Sequence, residues 1–272
     1  MPEQTVEGLV LSSKPLGEHD RLLLLLSASD GLLRLAAPGA RKPRSSLAAA
    51  VPLAQLRLQI GGSRGLRRVR QLQVVHHFGS LGERLETLAA AQALAELALA
   101  LVPDNSPAPE LLADLLVQLN RLELLVQEHE PHLEVLAVLV QGMLHQLALG
   151  GFALPLQSCA HSGAPLQPPI GDWSWRCSLL PTEGLVIGAL PQAPVQLNAS
   201  ELALLQRLPR PHLPLRRDGG LLGPEPVWLH LLQLLECWCR EHLGRRIRSL
   251  ALLRSCYGNM AAQNPRSSNR PS

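Results

Sequence analysis

Apolar and polar residues alternate through the first part of the chain. In LAQLRLQI, residues 53–60, Leu56, Leu58 and Ile60 fall on one side and Gln55, Arg57 and Gln59 on the other. A period of two with one apolar side marks a half-buried strand. Val6–Ser12, Arg21–Leu26 and Leu32–Ala37 are further β-type runs, and "SDG" at Ser29–Gly31 joins the last two as a hairpin. "GGSRG" at Gly61–Gly65 reads as a turn into a fifth strand over Leu66–Val75. Five short strands in this length predict a small closed barrel of the OB type.

The texture changes at Gly79. Leu81–Leu101 is rich in Ala and Leu and reads as a helix, broken by "PDNSPAP" at Pro103–Pro109. Pro109–Glu128 and Pro131–Leu149 read as two more helices, the latter with proline at its start and Gly150–Gly151 at its end. Residues 152–200 are rich in Pro and Gly and read as irregular. Ala199–Leu208 and Pro224–Leu243 read as helices, the second with Trp228, Leu231, Leu232, Leu235 and Trp238 at helical spacing. The expected architecture is multidomain: an all-β OB-fold barrel over 1–79, then an α-helical domain over 80–257. The polar tail 258–272 is expected to be disordered.

Charge sharpens this picture. Residues 1–80 carry eleven Lys and Arg against five Asp and Glu, whereas residues 81–150 carry two against ten. No acid occurs between Gly31 and Gly82, and nine cations do: Arg34, Arg41, Lys42, Arg44, Arg57, Arg64, Arg67, Arg68 and Arg70. Three of them crowd into "GARKPRSS", Gly39–Ser46. A barrel with such a surface attracts polyanions, nucleic acid first among them. The competing reading is a surface balanced by the acidic helices packed alongside. Residues 1–150 hold one aromatic, Phe78, so any binding is expected to be to backbone phosphate, with little base stacking.

Other chemistry is thin. The odd set of five cysteines, all in the second half, does not suggest a disulfide scaffold. Cys159, His161 and Cys177 are three candidate zinc ligands in a turn-rich stretch, one short of the usual four, so no cofactor is expected. Cys237 and Cys239 lie in a helical pattern that splays them apart, as core residues. Phosphate-cradling glycine loops, HExxH and GxSxG are all missing, and the acid-free stretch offers no carboxylate for Mg²⁺. A non-catalytic role is therefore expected. The N-terminus lacks the form of a signal peptide, and no apolar run reaches membrane-spanning length, so a cytoplasmic, nucleoid-associated protein is expected.

Taken together, these residues resemble the bacterial RecO family of recombination mediators in DNA repair. The resemblance rests on GE-x-D at Gly17–Asp20 followed by Arg21, on DGLLR at Asp30–Arg34 and on PGARKPRS at Pro38–Ser45. It continues to about Phe78, weakens through the helices and returns near Cys159 and Cys177 and at HLGRRIRSL, His242–Leu250. It implies an OB domain followed by a helical domain with a zinc-finger-like insert at about 152–190. Many relatives carry four cysteines there; here Ser162 and Leu180 stand at the second place of each pair, so the insert is expected to be metal-free.

The resemblance further implies binding of single- and double-stranded DNA, annealing of complementary strands and loading of the recombinase RecA. It implies partnership with RecR and with the acidic C-terminal tail of single-stranded DNA-binding protein. For that tail, Arg240, Arg245, Arg246 and Arg248 beside Leu235, Trp238 and Leu243 are the expected site, the other readings being that these arginines complement the helix C-terminus or bind DNA themselves. A protein-interaction scaffold whose basic barrel meets an acidic protein is the alternative.

Overall fold

The computed structural model describes residues 3–62, 66–102, 106–128 and 132–263. Five strands close into a barrel: β1 (Glu3–Leu16), β2 (Asp20–Ser27), β3 (Gly31–Ala37), β4 (Ala54–Gly61) and β5 (Arg67–His77). Their order around the barrel is β1-β2-β3-β5-β4, with β4 pairing back onto β1. All pairs are antiparallel except β3 with β5, where Leu35 meets Arg67 and Ala36 meets Arg68 in parallel register. This is OB topology. The predicted alternation on β4 holds, with Leu56, Leu58 and Ile60 buried. They pack inside the barrel with Val6, Val10, Leu23, Leu25, Leu33 and Leu35.

On β5 the alternation fails. The pairing with β4 slips twice, skipping Arg70 and Val75, and only Val69 of this strand is fully buried. β-bulges of this kind re-aim side chains and sharpen the twist.

A short 3₁₀ turn (Gly79–Glu83) leads into the helical domain of α1 (Leu85–Leu101), α2 (Pro109–Gln127), α3 (His132–Leu149), α4 (Ala199–Leu205), α5 (Glu225–Leu243) and α6 (Ser249–Gln263). The segment expected to be irregular contains a small sheet, β6 (Cys177–Leu180), β7 (Gly184–Ile187) and β8 (Val195–Leu197), in the order β7-β6-β8. Asn198 and Glu201 cap α4 reciprocally, each side chain meeting the other's backbone N–H at 2.9 and 2.8 Å. The sequence pattern does not announce α6, which extends through residue 263, into the segment expected to be a disordered tail; residues 264–272 lie outside the described residues.

The two domains share one core. Leu9, Leu11, Leu26, Leu32 and Leu53 of the barrel pack with Phe78, Leu81 and the apolar faces of the helices. At full burial each such leucine contributes about 1.5–3 kcal/mol relative to exposure, so this seam is a substantial part of the fold. Polar contacts pin its edges. Glu123 of α2 accepts from Ser80 Oγ at 2.6 Å and meets His76 Nε2 at 2.8 Å. Gly31 sits against the Ser106 backbone so closely that a Cβ would lie 1.9 Å from its carbonyl oxygen. No helix among the described residues is long and apolar enough to cross a membrane.

Candidate nucleic-acid interface

The basic segment 39–46 becomes a series of tight turns. Gly39 takes a left-handed φ of 65°, its N–H donates to Asp20 Oδ1 at 2.7 Å, and the Lys42 N–H donates back to the Gly39 carbonyl at 2.9 Å. Arg44 also lies in the left-handed region, at φ 58°, a conformation that costs a residue with a Cβ about 1–2 kcal/mol. Such outliers persist only where the surroundings hold them, and they gather at functional loops. Lys42 and Arg44 are exposed. Ser45 Oγ accepts from the Leu47 N–H at 3.1 Å, which leaves its proton available to a ligand.

Barrel closure brings a second basic stretch to this loop. Ala36, paired with Arg68, lies two residues before Pro38, where the loop begins. The start of β5 therefore stands beside the loop although some twenty-five residues separate Arg68 from Arg44 in sequence. Arg68 and Arg70 are exposed, and Arg70 lies over Gly61, whose added Cβ would meet its Nε at 3.2 Å. Arg34, also exposed, projects from β3 opposite Leu24, which packs against the helical core.

The nine expected cations are not equivalent. Arg57 is paired: its Nε and Nη2 donate to Glu7 Oε2 at 3.1 and 2.9 Å across the β1–β4 pair. The fold thus sets an acid from outside the acid-free stretch directly opposite it, and its charge is locally balanced. Arg41 is partly committed, its Nη1 donating to the Gly17 carbonyl at 3.1 Å and its N–H to the His19 carbonyl at 2.9 Å. Arg67 donates to Gln4 Oε1 at 2.9 Å. Arg64 lies outside the described residues. Arg34, Lys42, Arg44, Arg68 and Arg70 have no acidic partner among the described residues. Among the described residues no helical carboxylate forms an ion pair with them; Glu123 is occupied by His76 and Ser80, and Glu86 is buried against Arg84.

The residues of the expected tail site fall in different surroundings. Leu235 is fully buried, and buried Trp238 donates its indole N–H to the Phe152 carbonyl at 2.8 Å, so these two lie in the core, whereas Leu243 is partly buried. Arg240 stays on α5, with its guanidinium turned to Cys237 Sγ. Arg245, Arg246 and Arg248 instead line a cleft against the barrel.

The insert is built around Cys159. Its N–H donates to Ala164, its carbonyl accepts from Gly163, and its sulfur accepts from the Ile187 N–H at 3.4 Å, tying the turn to β7. Burial raises the Cys159 thiol pKa, but the Ser162 hydroxyl and the N–H groups of Ile187, Ser162 and His161 outweigh it and lower the value to about 7. Cys177 goes the other way, to about 12, pushed by burial and by the neighbouring Cys159. His161 is paired outward with Glu183 at 3.1 Å, both half-exposed. Among the described residues no three His, Cys, Asp or Glu side chains lie close enough to hold a metal ion, so the donors present do not fit a structural zinc site. Cys237 and Cys239 are core residues.

A five-stranded OB-like barrel with a basic end, joined through an apolar seam to a helical domain, is the architecture on which the comparisons bear. Two sequence models divide the chain at this seam: "Recombination protein O N terminal" matches residues 1–78 and "Recombination protein O C terminal" matches residues 82–251. The chain is 60% identical to the DNA repair protein RecO of Synechococcus sp. (strain CC9311), over 95% of this chain and 99% of that one. Identity to the RecO protein of Prochlorococcus marinus (strain MIT 9313) is also 60%, over 93% and 95%. For that of Thermosynechococcus vestitus it is 34%, over 95% and 97%. The chain belongs to the RecO family, and its role lies in DNA repair.

Proposed function

We propose that this protein is a non-catalytic recombination mediator that binds DNA backbones, anneals complementary strands and helps load RecA onto single-stranded DNA. The observation that carries this reading is the convergence of Lys42 and Arg44 with Arg68 and Arg70, cations free of acidic partners among the described residues, at one end of the barrel. Annealing needs no covalent chemistry: two strands held on one cationic surface are screened from each other and raised in local concentration. The single aromatic of the barrel domain, Phe78, is buried, which favours sequence-tolerant phosphate contacts over base stacking.

In this reading the protein works in the cytoplasm, at the nucleoid, without a metal cofactor, alongside RecR and the acidic tail of single-stranded DNA-binding protein. The test is annealing of complementary oligonucleotides, with and without single-stranded DNA-binding protein, over a salt series. Acceleration that fades steeply with salt supports the reading. Weak, salt-insensitive DNA binding instead favours a scaffold whose barrel meets an acidic protein.

A further inference from the structure

The cleft at the domain junction has a composition that the barrel interface does not explain. About 540 Å³ in volume, it lies between β1, α1 and the turn from α5 to α6. Its cations are Lys14 from β1 and Arg245, Arg246 and Arg248 from the turn, and its one carboxylate is Glu96. That carboxylate is engaged: Oε2 accepts from the N–H of Arg248 at 2.6 Å, and Oε1 accepts from Ser249 Oγ at 2.9 Å. Glu96 therefore fixes the start of α6 and with it the direction of the arginine turn. The four cationic side chains are exposed and have no acidic partner among the described residues. Ser12 and Gln92 line the same cleft with polar groups that have no hydrogen-bond partner among the described residues. Four cations against one committed acid, with neutral donors beside them, is the composition of a seat for phosphate oxygens.

The cleft is joined to the barrel interface. Segment 39–53 runs from the basic turns to Pro52 and Leu53, which form part of the cleft wall. Ser13 and Arg21 tie it to β1 and β2 midway, both donating to the Ala50 carbonyl at 3.1 Å. Lys14 lies three residues from Gly17, whose carbonyl Arg41 holds, which is about 10 Å along a strand. Cations thus lie along a path from Lys42 and Arg44, past Arg41 and Lys14 near the end of β1, to the arginine turn of the helical domain, with exposed Glu18 beside it.

We propose that this cleft holds the sugar–phosphate backbone of a single DNA strand continuing from the barrel, so that the two domains grip one strand jointly. The inference rests on the DNA-binding reading above and adds to it a second contact site and a path. The seat also spans the domain seam, so a bound strand ties the barrel to the helices.

The test uses the full chain and a fluorescent oligo-dT, with binding measured by anisotropy over a salt series. The triple variant Lys14→Ala/Arg246→Ala/Arg248→Ala should lower the log–log salt slope by about 2, at roughly 0.7 per lost single-strand phosphate contact. Between 50 and 200 mM salt the wild type should then lose about 16-fold more affinity than the variant. Arg246→Lys/Arg248→Lys should keep most of the slope, which separates charge from folding, and unchanged thermal melting of the triple variant checks the same point. No binding of oligo-dT by the wild type would remove the DNA reading itself. A slope lowered by changes at Lys42 and Arg44 but not by the triple variant would leave that reading standing and overturn this inference. So would a poly-aspartate peptide that binds the wild type and not the triple variant while the oligo-dT slope stays constant, since the cleft would then serve an acidic protein.

Discussion

Position, rather than total charge, should decide which barrel cations hold DNA, and the double variant Lys42→Ala/Arg44→Gly isolates this. Both side chains are exposed without an acidic partner among the described residues, so each is free to meet a phosphate. Glycine adopts the φ of 58° at residue 44 without the steric cost an arginine bears there. That relief of about 1–2 kcal/mol offsets the extra unfolded-state freedom of glycine, about 0.4–1 kcal/mol. The variant should therefore melt within a few degrees of the wild type, and any loss of binding is a loss of contacts. Two duplex contacts at about 0.9 each should lower the slope by about 1.8. Over a fourfold rise in salt this is about a 12-fold difference in retained affinity. Arg57→Ala removes one charge from the same barrel, but Glu7 already answers it at 2.9 Å, so its slope should stay within about 0.3 of the wild type. The assay is anisotropy on a generic duplex from 50 to 200 mM salt. An unchanged slope in the double variant, or an equal drop per charge for Arg57→Ala, would refute the assignment of the interface to the 39–46 turns.

Three further outcomes follow from the fold. Gly31→Ala should cost at least about 2 kcal/mol, since a Cβ at φ 67° is strained and would strike the Ser106 carbonyl across the domain seam; thermal melting should fall by about 4 °C or more, and an unaltered melt would contradict the seam. Asp114 raises the pKa of His145, and Glu201 that of His230, above the ordinary histidine value of 6.5. Their stabilisation is full below 6.5 and is lost as pH rises through the raised values, so the melting gap between wild type and His145→Gln/His230→Gln should narrow from pH 6 to pH 9; a constant or widening gap counts against both pairs. Metal analysis of the purified protein should find far less than one zinc per chain, and stoichiometric zinc lost on Cys177→Ser would overturn that expectation.

Much of this protein is legible in its amino-acid sequence. The alternation at 53–60, the hairpin at Ser29–Gly31 and the switch to helical spacing after Gly79 are local signals, carried by neighbours a few residues apart. They predict strands and helices because the backbone period is itself local. The acid-free basic stretch is equally plain as composition. The short strands β6 to β8 are not, since three or four residues between prolines and glycines carry too little periodicity to read, and the polar texture of the residues around it hides α6. Tertiary structure alone decides which cations are free. The β1–β4 register sets Glu7 against Arg57, and the parallel β3–β5 pair brings Arg68 to the loop that holds Arg44. The same holds for the cleft, where Lys14 meets three arginines more than two hundred residues away because Leu9, Leu11 and Leu53 bury themselves against the helices. Charge in a sequence is a sum over residues; its neutralisation or accumulation depends on pair distances, and those are set only when the apolar surfaces have found each other.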